Sequence, residues 1–503
     1  MLPPDWNPDN IKHWQTRSAL AYAYLWSASG ILVCAFAVWM QWSVWVVYMP
    51  KLGFLFSLEQ RFSLLAIAGL SGALFRIPAT FLSFSNQHRS HHIVIVGVLL
   101  LPIMGTSLAL QNPASTLLTF QALALFSGFG AAVFSISITN VSALFPQRQQ
   151  ALALGLHAGL GNLGLVLVQV VVPVVMSLQL LHFNWLIVSV VVVAIVVLFM
   201  HLFRIRSSAH EHSIRRSFPA LCALFLGLGT TAFISLIALY LILPKGASGA
   251  GLQLTKEWVL VAALFTALWF IKHNVRQAPE IEMQFRIFNN KHTWLMSVLY
   301  VMSFGTFIGF ASVFPLLSHY VFGFSHNTAG INTFSQVNPH EPSMMMYCWF
   351  GPLLAIVSRP LGGWLGDRYG GSKVTFWCAA LMGAASIWMG YSIDAALQDA
   401  SPERYFVSFI LSCMVLFIGC GFANGSLYRT LTTLFPKSHR YAVIGWVSSI
   451  GACGAFYVPL VLGENLQNGT MFSAFVGFSI FYFSCMALAR FFYLDKNAEH
   501  FNP

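Results

Sequence analysis

Two arginines stand inside otherwise apolar stretches of this sequence, and each is followed closely by a proline. Arg359 lies in VSRPLGGWLGDRYGGSKV (residues 357–374) and Arg76 in GALFRIPATF (residues 72–81). Arg359 precedes Asp367 by eight residues, so on a helix it lies roughly 12 Å from the polar helix end, near the middle of a hydrocarbon layer about 30 Å thick. A guanidinium group stays charged and offers a planar fork of donors, which suits a planar oxyanion. Two such forks could clamp one monovalent anion.

No acidic residue is available to neutralise these arginines within the apolar stretches. All fifteen Asp and Glu fall in loops, tails or span ends. Closing an empty site should therefore be unfavourable, and closing it around an anion favourable, which indicates obligatory exchange of one anion for another. Proton-driven transporters commonly relay protons through an acid or a histidine, and His157 is the remaining candidate. The alternative for His157 is a neutral side chain bonded to backbone near a helix start.

Composition indicates a polytopic membrane protein. Of the 503 residues, 57% are hydrophobic and only 8% are charged, and the mean hydropathy is +0.72. A soluble protein of this size could not bury so much apolar surface. The net charge of +11 is explained by basic cytoplasmic loops, so we expect no nucleic-acid partner. The eight cysteines form no CxxC pair and are interpreted as small core residues, with no disulfide, metal or cofactor expected. The N-terminus lacks the features of a cleaved signal peptide and is expected to be retained.

Fourteen apolar runs are long enough to cross a membrane. Six precede the basic break from Arg204 to Arg216, at residues 20–49, 62–84, 91–111, 115–143, 150–178 and 182–203. Eight follow it, at residues 218–243, 256–272, 293–320, 344–365, 374–392, 405–433, 440–463 and 470–492.

The distribution of Lys and Arg supports this count. With residues 1–17 in the cytoplasm, eighteen of the 26 basic residues fall inside, five fall outside, and three (Arg76, Arg359 and Arg429) fall within spans. Cytoplasmic loops of membrane proteins carry such an excess. A helix miscounted in mid-chain would reverse every later loop and abolish the bias. We therefore predict that both termini are cytoplasmic.

An internal repeat relates the two ends of the chain. GLHAGLGNLG (155–164) and GWVSSIGACG (445–454) share three glycines at an offset of 290, namely Gly155 and Gly445, Gly161 and Gly451, and Gly164 and Gly454. Glycines at this spacing leave one helix face without side chains, so another backbone can approach it closely. Two related halves with an arginine in each are the layout of a transporter with a site between repeats.

The loop sequence GGWLGDRYGGSKV (362–374) resembles the cytoplasmic loop motif of the major facilitator superfamily, and the chain is identified as a member of its nitrate/nitrite porters. The two glycine-rich stretches resemble that family's two signatures. The resemblance covers about 18–203 and 293–492. It implies an all-α polytopic membrane protein with two six-helix bundles, in which Asp367 and Arg368 brace neighbouring helices in one access state.

The same resemblance implies the residues of the site. Arg76 and Arg359 match the substrate arginines, and the segment 293–310 matches the seventh core helix, which places Tyr300 and Phe304 on the binding face. Phe36, Phe134 and Asn162 line the site by the same matching. Tyr300 and Phe304 are at i and i+4, so both rings could face one cavity, and the Asn162 amide is a further donor. For the phenylalanines the alternative is packing against lipid or core.

Residues 218–272 have no counterpart in the usual twelve-helix pattern and predict two extra helices, so the expected total is fourteen spans. The predicted domains are an N-terminal bundle (1–203), a basic linker with the extra pair (204–292) and a C-terminal bundle (293–503). Arg429, roughly 10 Å from the inner membrane edge by helical rise, is expected to snorkel or to gate from the cytoplasmic side.

Other classes fit less well. A haem-binding oxidase needs histidines facing one another at depth, and most of the sixteen are in loops. A proton-coupled sugar or drug transporter would want intramembrane acids or a polar cavity. We therefore expect a transporter rather than an enzyme, with no catalytic residues. We expect a monomeric nitrate/nitrite antiporter in the bacterial inner membrane that works by alternating access, with nitrate/proton symport as the alternative.

Overall fold

The structure of this protein is a computed structural model that describes residues 7–82, 97–178, 214–274, 279–326 and 336–498. Before the inserted region it contains eight α-helices: α1 (Ile11–Met40), α2 (Trp42–Tyr48), α3 (Leu58–Phe81), α4 (Leu100–Gln111), α5 (Leu117–Ser127), α6 (Phe129–Leu144), α7 (Gln147–Gly161) and α8 (Leu163–Ser177). The inserted region contains α9 (Ile214–Ile242) and α10 (Lys256–Asn274).

The remaining helices are α11 (Pro279–Phe285), α12 (Lys291–Tyr300), α13 (Thr306–Phe322), α14 (Met344–Tyr347), α15 (Phe350–Tyr369), α16 (Gly371–Gln398), α17 (Phe406–Leu434), α18 (Lys437–Ala452), α19 (Gly454–Asn468) and α20 (Met471–Ala489). A π-helical segment, Val301–Gly305, joins α12 to α13. Two-residue strands β1 (Phe324–Ser325) and β2 (Gln336–Val337) pair antiparallel. The sequence did not predict this short ribbon.

Ten helical stretches in the described part of the chain are long and apolar enough to cross a membrane. The helix α15, which holds Arg359, Asp367 and Arg368, is not among the ten. The predicted span 182–203 lies outside the described residues, as do the ends of two others at 83–84 and 91–96. The all-helical, multi-span fold class is confirmed, while the count of fourteen and the three predicted domain boundaries stay predictions.

Both glycine-rich signature stretches are interrupted near their C-terminal ends, where the sequence predicted continuous spans. The helix α7 gives way to α8 at Asn162, and α18 gives way to α19 at Cys453. At each point the backbone makes tighter i to i+3 hydrogen bonds, with Asn162 N–H donating to the Gly159 carbonyl and Cys453 N–H to the Ile450 carbonyl. Short 3₁₀ turns inside a helix often mark hinges. The repeat is therefore one of backbone shape as well as of glycine positions.

The arginine-bearing helices pack across the interface between the two predicted halves. The helix α3, which carries Arg76, packs against α18 and α19, and α15, which carries Arg359, packs against α7. Each arginine helix thus contacts the glycine-rich signature of the opposite half. Pro78 and Pro360 lie inside these helices just after the arginines, where each removes one backbone hydrogen bond.

The inserted helix pair contacts both halves. The helix α9 packs along α3, and the turn before α10 accepts hydrogen bonds at its Gly246 and Ala247 carbonyls from Gln60 (2.7 Å) and Gln121 (3.2 Å). On the other side α10 is tied to α19. Lys256 Nζ lies 2.6 Å from Glu464 Oε2, and the Tyr457 hydroxyl donates to Glu257 Oε1 at 2.9 Å. The pair therefore spans the junction of the two halves.

Candidate functional site

Arg76 is fully buried on α3, and aromatic rings surround its guanidinium group. Its Cζ atom lies 5.8 Å from the ring centroid of Phe36, 5.3 Å from that of Trp39, 4.8 Å from that of Phe134 and 5.2 Å from that of Phe304. Ring faces attract a cation. Because the N–H donors of a guanidinium lie in its plane, these rings stabilise the charge without using up its hydrogen bonds.

Arg359 is buried on α15, and its Cζ atom lies 5.7 Å from the ring centroids of both Phe304 and Phe307. Phe304 contacts both cations. The two guanidinium carbons are therefore no further apart than the sum of their distances to this ring. The structure brings the two arginines named from the sequence together around Phe304, and we call the region enclosed by the residues around them the chamber.

The hydrogen bonds of the two arginines are incomplete. Nη1 of Arg76 donates to the Ser448 carbonyl at 3.0 Å, whereas Nε and Nη2 of Arg76 and Nε of Arg359 are buried without a hydrogen-bond partner. In the described part of the chain, no ion pair joins either arginine to a carboxylate. A buried donor without a partner costs about 1–3 kcal/mol, and more when it is charged. A small anion between the arginines would satisfy these donors.

Phe36 and Phe134 face the chamber rather than lipid. Both are essentially unexposed. The Phe134 ring stacks on Phe304 from the opposite half, with centroids 6.4 Å apart and planes at 11°, and it also packs on Phe36 at 6.1 Å. These rings form an apolar wall that keeps water from the cations.

Tyr300 lies at the end of α12, and its ring packs on Phe304 with centroids 5.7 Å apart. Its hydroxyl lies 2.8 Å from that of Tyr428 on α17. The sequence prediction did not include Tyr428, nor the chamber residues Trp39 and Phe307. One signal was available, because Tyr428 follows a buried Asn424 by four residues in an apolar span, and polar residues at i and i+4 share a helix face.

Asn162 is buried at the junction of α7 and α8, and its Oδ1 atom has no hydrogen-bond partner. Gly159 lies three residues earlier on the same helix face, and a Cβ placed there would be 3.9 Å from Cδ of Arg359. Asn162 therefore follows, by about one helical turn, a residue of α7 that packs against α15. Its role as an anion ligand stays a prediction.

His157 lies deeper than the sequence predicted. It stands ten residues after the start of α7 and is fully buried, with Nδ1 at 2.9 Å from the Ser29 hydroxyl and Nε2 at 2.9 Å from the Ser137 hydroxyl. Because Ser137 also donates to the Phe134 carbonyl, its oxygen is left to accept from Nε2–H. The His157 ring stacks on Phe134 with centroids 6.5 Å apart.

Five of the six repeated glycines are sites of close approach. A Cβ at Gly161 would collide with Leu32, and one at Gly164 with the backbone of α1. A Cβ at Gly445 would collide with Thr80, one at Gly451 with Tyr300, and one at Gly454 with the Gly305 backbone. Gly155 differs, because its nearest neighbour, the Arg359 carbonyl, would be 3.9 Å from the added atom. An added Cβ at Gly155 would therefore make only an ordinary contact with the backbone of α15, and the gating role of this glycine stays a prediction.

The loop motif is braced differently from the sequence prediction. Asp367 Oδ1 lies 3.4 Å from Nε of Arg429 and so joins α15 to α17. Arg368 lies over the rings of Trp364 and Tyr369 on its own helix, at 5.7 and 5.5 Å. In this structure Arg429, and not Arg368, is the basic partner of the brace. Both members are partly exposed, so the pair alone contributes about 1 kcal/mol or less.

A hydrogen-bonded pair between α7 and α18 closes the end of the chamber that is predicted to be cytoplasmic. Arg440 Nη1 donates to Gln150 Oε1 at 2.7 Å, and both side chains are buried. Each also caps a helix end of its own half. Gln150 Nε2 donates to the Ser142 carbonyl and Arg440 Nη2 to the Thr432 carbonyl, both at 2.7 Å. These carbonyls belong to the last turns of α6 and α17, where helix carbonyls lack partners.

The sequence analysis missed this pair, although a signal was present. The tripeptide Leu-Phe-Pro occurs at 144–146 and again at 434–436, at the same offset of 290 as the glycines. Gln150 and Arg440 are related by that offset, and so are Ser142 and Thr432. Two equivalent positions of the repeat therefore contact each other, which places the pair on the axis that relates the two halves.

The other end of the chamber is closed by Arg61 and Tyr320. The Arg61 guanidinium donates to the Tyr320 hydroxyl, and its Cζ atom lies 5.0 Å from the ring centroid. Arg61 belongs to α3 and Tyr320 to α13. Contacts between the halves therefore stand on both sides of the buried arginines, and the chamber is closed at both ends.

Comparison with known proteins identifies the family. A model of the Major Facilitator Superfamily matches residues 333–503. The probable nitrate/nitrite antiporter NarK2 of Thermus thermophilus is 30% identical over 502 residues, which cover 98% of this chain and 97% of that protein. The chain belongs to the nitrate/nitrite porters of this superfamily. A further relative of this porter is the nitrate/nitrite transporter NarU of Salmonella typhimurium, which is 28% identical over 512 residues. The match covers 95% of that protein.

Solved structures confirm the fold of this porter. A POT family transporter in complex with 5-aminolevulinic acid has a TM-score of 0.60 at 14% identity, with 95% of this chain and 96% of that chain covered. An auto-inhibited POT family peptide transporter has a TM-score of 0.55 at 14% identity, with 94% and 96% covered. The porter is therefore a multi-pass membrane protein with the major facilitator fold.

Proposed function

We propose that this porter exchanges nitrate and nitrite across the membrane by alternating access, with the anion held between Arg76 and Arg359. The observation that carries the proposal is the pair of buried guanidinium groups around Phe304, for which the described residues supply no carboxylate. Relatives named as nitrate/nitrite antiporter and transporter support this choice of substrate.

The mechanism follows from the charges. An anion entering from one side neutralises part of the charge in the chamber and completes the hydrogen bonds of the arginines, so the halves can close over it. A closed chamber without an anion would hold two uncompensated cations in an apolar, ring-lined space. The return step is therefore slow unless a second anion binds. Exchange, rather than net uptake, is the consequence.

A flux assay with purified protein in liposomes tests the proposal. Liposomes loaded with nitrite should take up labelled nitrate without a pH gradient, and liposomes loaded with gluconate should take up little. Uptake only with an imposed proton gradient and no internal anion would support nitrate/proton symport instead. His157, stacked on the Phe134 ring that contacts Arg76, is the group that such a symporter would use.

We also propose a location in the bacterial inner membrane, a monomeric state and cytoplasmic termini. The excess of Lys and Arg on one side of the predicted topology supports this orientation. Fusions provide the test. A fluorescent protein joined to the C-terminus should mature, and alkaline phosphatase inserted after Lys245 should be active. The opposite pattern would reverse the orientation.

A further inference from the structure

We infer that Tyr428 is a positioning residue for the transported anion, because its hydroxyl fixes the direction in which the Tyr300 hydroxyl donates. This inference rests on the proposed function, since it assigns a role within the same chamber. Tyr428 is fully buried on α17.

The two phenols lie beside Phe304, the ring that both cations contact. Their oxygens are 2.8 Å apart and their ring centroids 6.1 Å apart. The Tyr300 ring packs on Phe304, with centroids 5.7 Å apart, and Phe304 contacts both guanidinium groups. The pair therefore lies next to the ring that both cations share, where an anion clamped by both would lie.

Hydroxyl chemistry limits what the pair can do. Each phenol has one hydrogen to donate and lone pairs to accept. If Tyr300 donates to Tyr428, it has no hydrogen left for the anion. When Tyr428 donates instead, Tyr300 accepts and its own hydrogen is free. Accepting a bond also polarises the Tyr300 O–H group, so its bond to an anion becomes stronger.

The surroundings of α17 hold Tyr428 in place for this task. One turn earlier, Asn424 Nδ2 donates to the Ser303 hydroxyl at 3.3 Å and so ties α17 to the π-helical segment. Gly425 lies against the backbone of Arg359, where a Cβ would collide with the carbonyl oxygen. Tyr428 is therefore carried by a helix in contact with the elements that hold Tyr300 and Arg359.

A double-mutant cycle in nitrite-loaded liposomes tests the inference. We expect Tyr300→Phe to raise the KM for nitrate about tenfold, the loss of one hydrogen bond to an anion. Tyr428→Phe keeps the ring and should raise KM about fivefold with a smaller change in kcat. The double variant should be no worse than Tyr300→Phe alone, because the second hydroxyl acts only through the first.

Tyr482→Phe is the matched control. Tyr482 is equally buried in the same half, and its hydroxyl accepts from Thr306 at 3.1 Å. Its KM should not change. An unchanged KM in Tyr428→Phe, at an unchanged melting temperature, would overturn the inference, and so would effects that multiply in the double variant. If the unmodified porter carries neither nitrate nor nitrite, the proposed function itself fails, and this result is separate from either of those outcomes.

Discussion

The two halves of this porter present the same charge to the chamber in different surroundings. Arg76 is enclosed by three rings of its own half and by Phe304, whereas Arg359 contacts the rings of Phe304 and Phe307. The N-terminal half thus surrounds its cation with ring faces, and the C-terminal half places the hydroxyl pair of Tyr300 and Tyr428 beside Phe304. What the repeat shares is backbone: glycines, prolines and helix interruptions at matching positions.

A similar difference between the side chains of the two halves occurs at the closed end of the chamber, between α7 and α18. Gln150 and Arg440 occupy equivalent positions and cap equivalent carbonyls, yet one is neutral and the other is charged. Two arginines there would repel each other, and two glutamines would give up the charge-assisted bond. Because the two equivalent positions carry different side chains, the two halves can form a hydrogen bond to each other there.

Replacing either chamber arginine should have the largest effect and tests whether the halves are equally necessary. We expect Arg76→Lys and Arg359→Lys each to lower nitrate/nitrite exchange at least about a hundredfold, because an ammonium lacks the planar fork that grips an oxyanion. Initial exchange rates in liposomes measure this. A variant of one half that keeps most of the activity would show that the clamp is one-sided.

The repeated glycines should give the next largest effect. Gly164→Ala and Gly454→Ala add a Cβ that collides with backbone of α1 and of the π-helical segment. Overpacking of this kind costs about 1–3 kcal/mol, so we expect a lower melting temperature and at least about tenfold slower exchange. Gly155→Ala is the control, since the added Cβ would make only an ordinary contact there. Similar losses in all three variants would mean that space is not the cause.

Phe304 should matter more than Phe307, because only Phe304 contacts both cations. We expect Phe304→Leu to raise the KM for nitrate about tenfold and Phe307→Leu about threefold, in line with about 0.5–2 kcal/mol for each cation–ring contact. Steady-state exchange over a range of nitrate concentrations measures both. Equal effects would place the two cations further apart than one shared ring implies.

Gln150→Ala should have the smallest effect on exchange, less than about threefold, since Arg440 keeps its carbonyl partners Thr432 and Phe435. Hydrogen–deuterium exchange should nevertheless quicken in the first turns of α7 and α18, because the bond between the halves is lost. Gln147→Ala, at an exposed position of α7, should leave it unchanged. Unaltered protection in Gln150→Ala would remove this pair from the closure of the chamber.

Local sequence patterns predicted much of this architecture. Hydropathy predicted the helices, because this signal is local to each helix. The glycine offset of 290 predicted close helix approaches, most of them within one half, with Gly445 against Thr80 between the halves. The burial of Arg76 and Arg359 followed from charge in apolar sequence. The resemblance to a known family added the rings of Phe36 and Phe134, which periodicity alone could not separate from core packing.

Other contacts depend on helices distant in sequence. The serines around His157 come from α1 and α6, and Tyr428 meets Tyr300 across 128 positions. No spacing within one helix encodes such pairings. The looser contact at Gly155 could not be predicted for the same reason, since it depends on how far α15 stands from α7. Arg368 was expected to brace a neighbour, but Arg429 occupies that position.

The inserted helices have a mechanical consequence. The α9 arm of the hairpin packs along α3, and the turn accepts a hydrogen bond from Gln60 of the same helix. The α10 arm is fastened to α19 through Lys256 and Glu257. Any tilt that parts α3 from α19 must stretch the turn between the arms, bend one arm or release an attachment. The width of the entrance beside this hairpin is therefore limited by the length of a connecting peptide, as well as by the strength of the contacts that seal it.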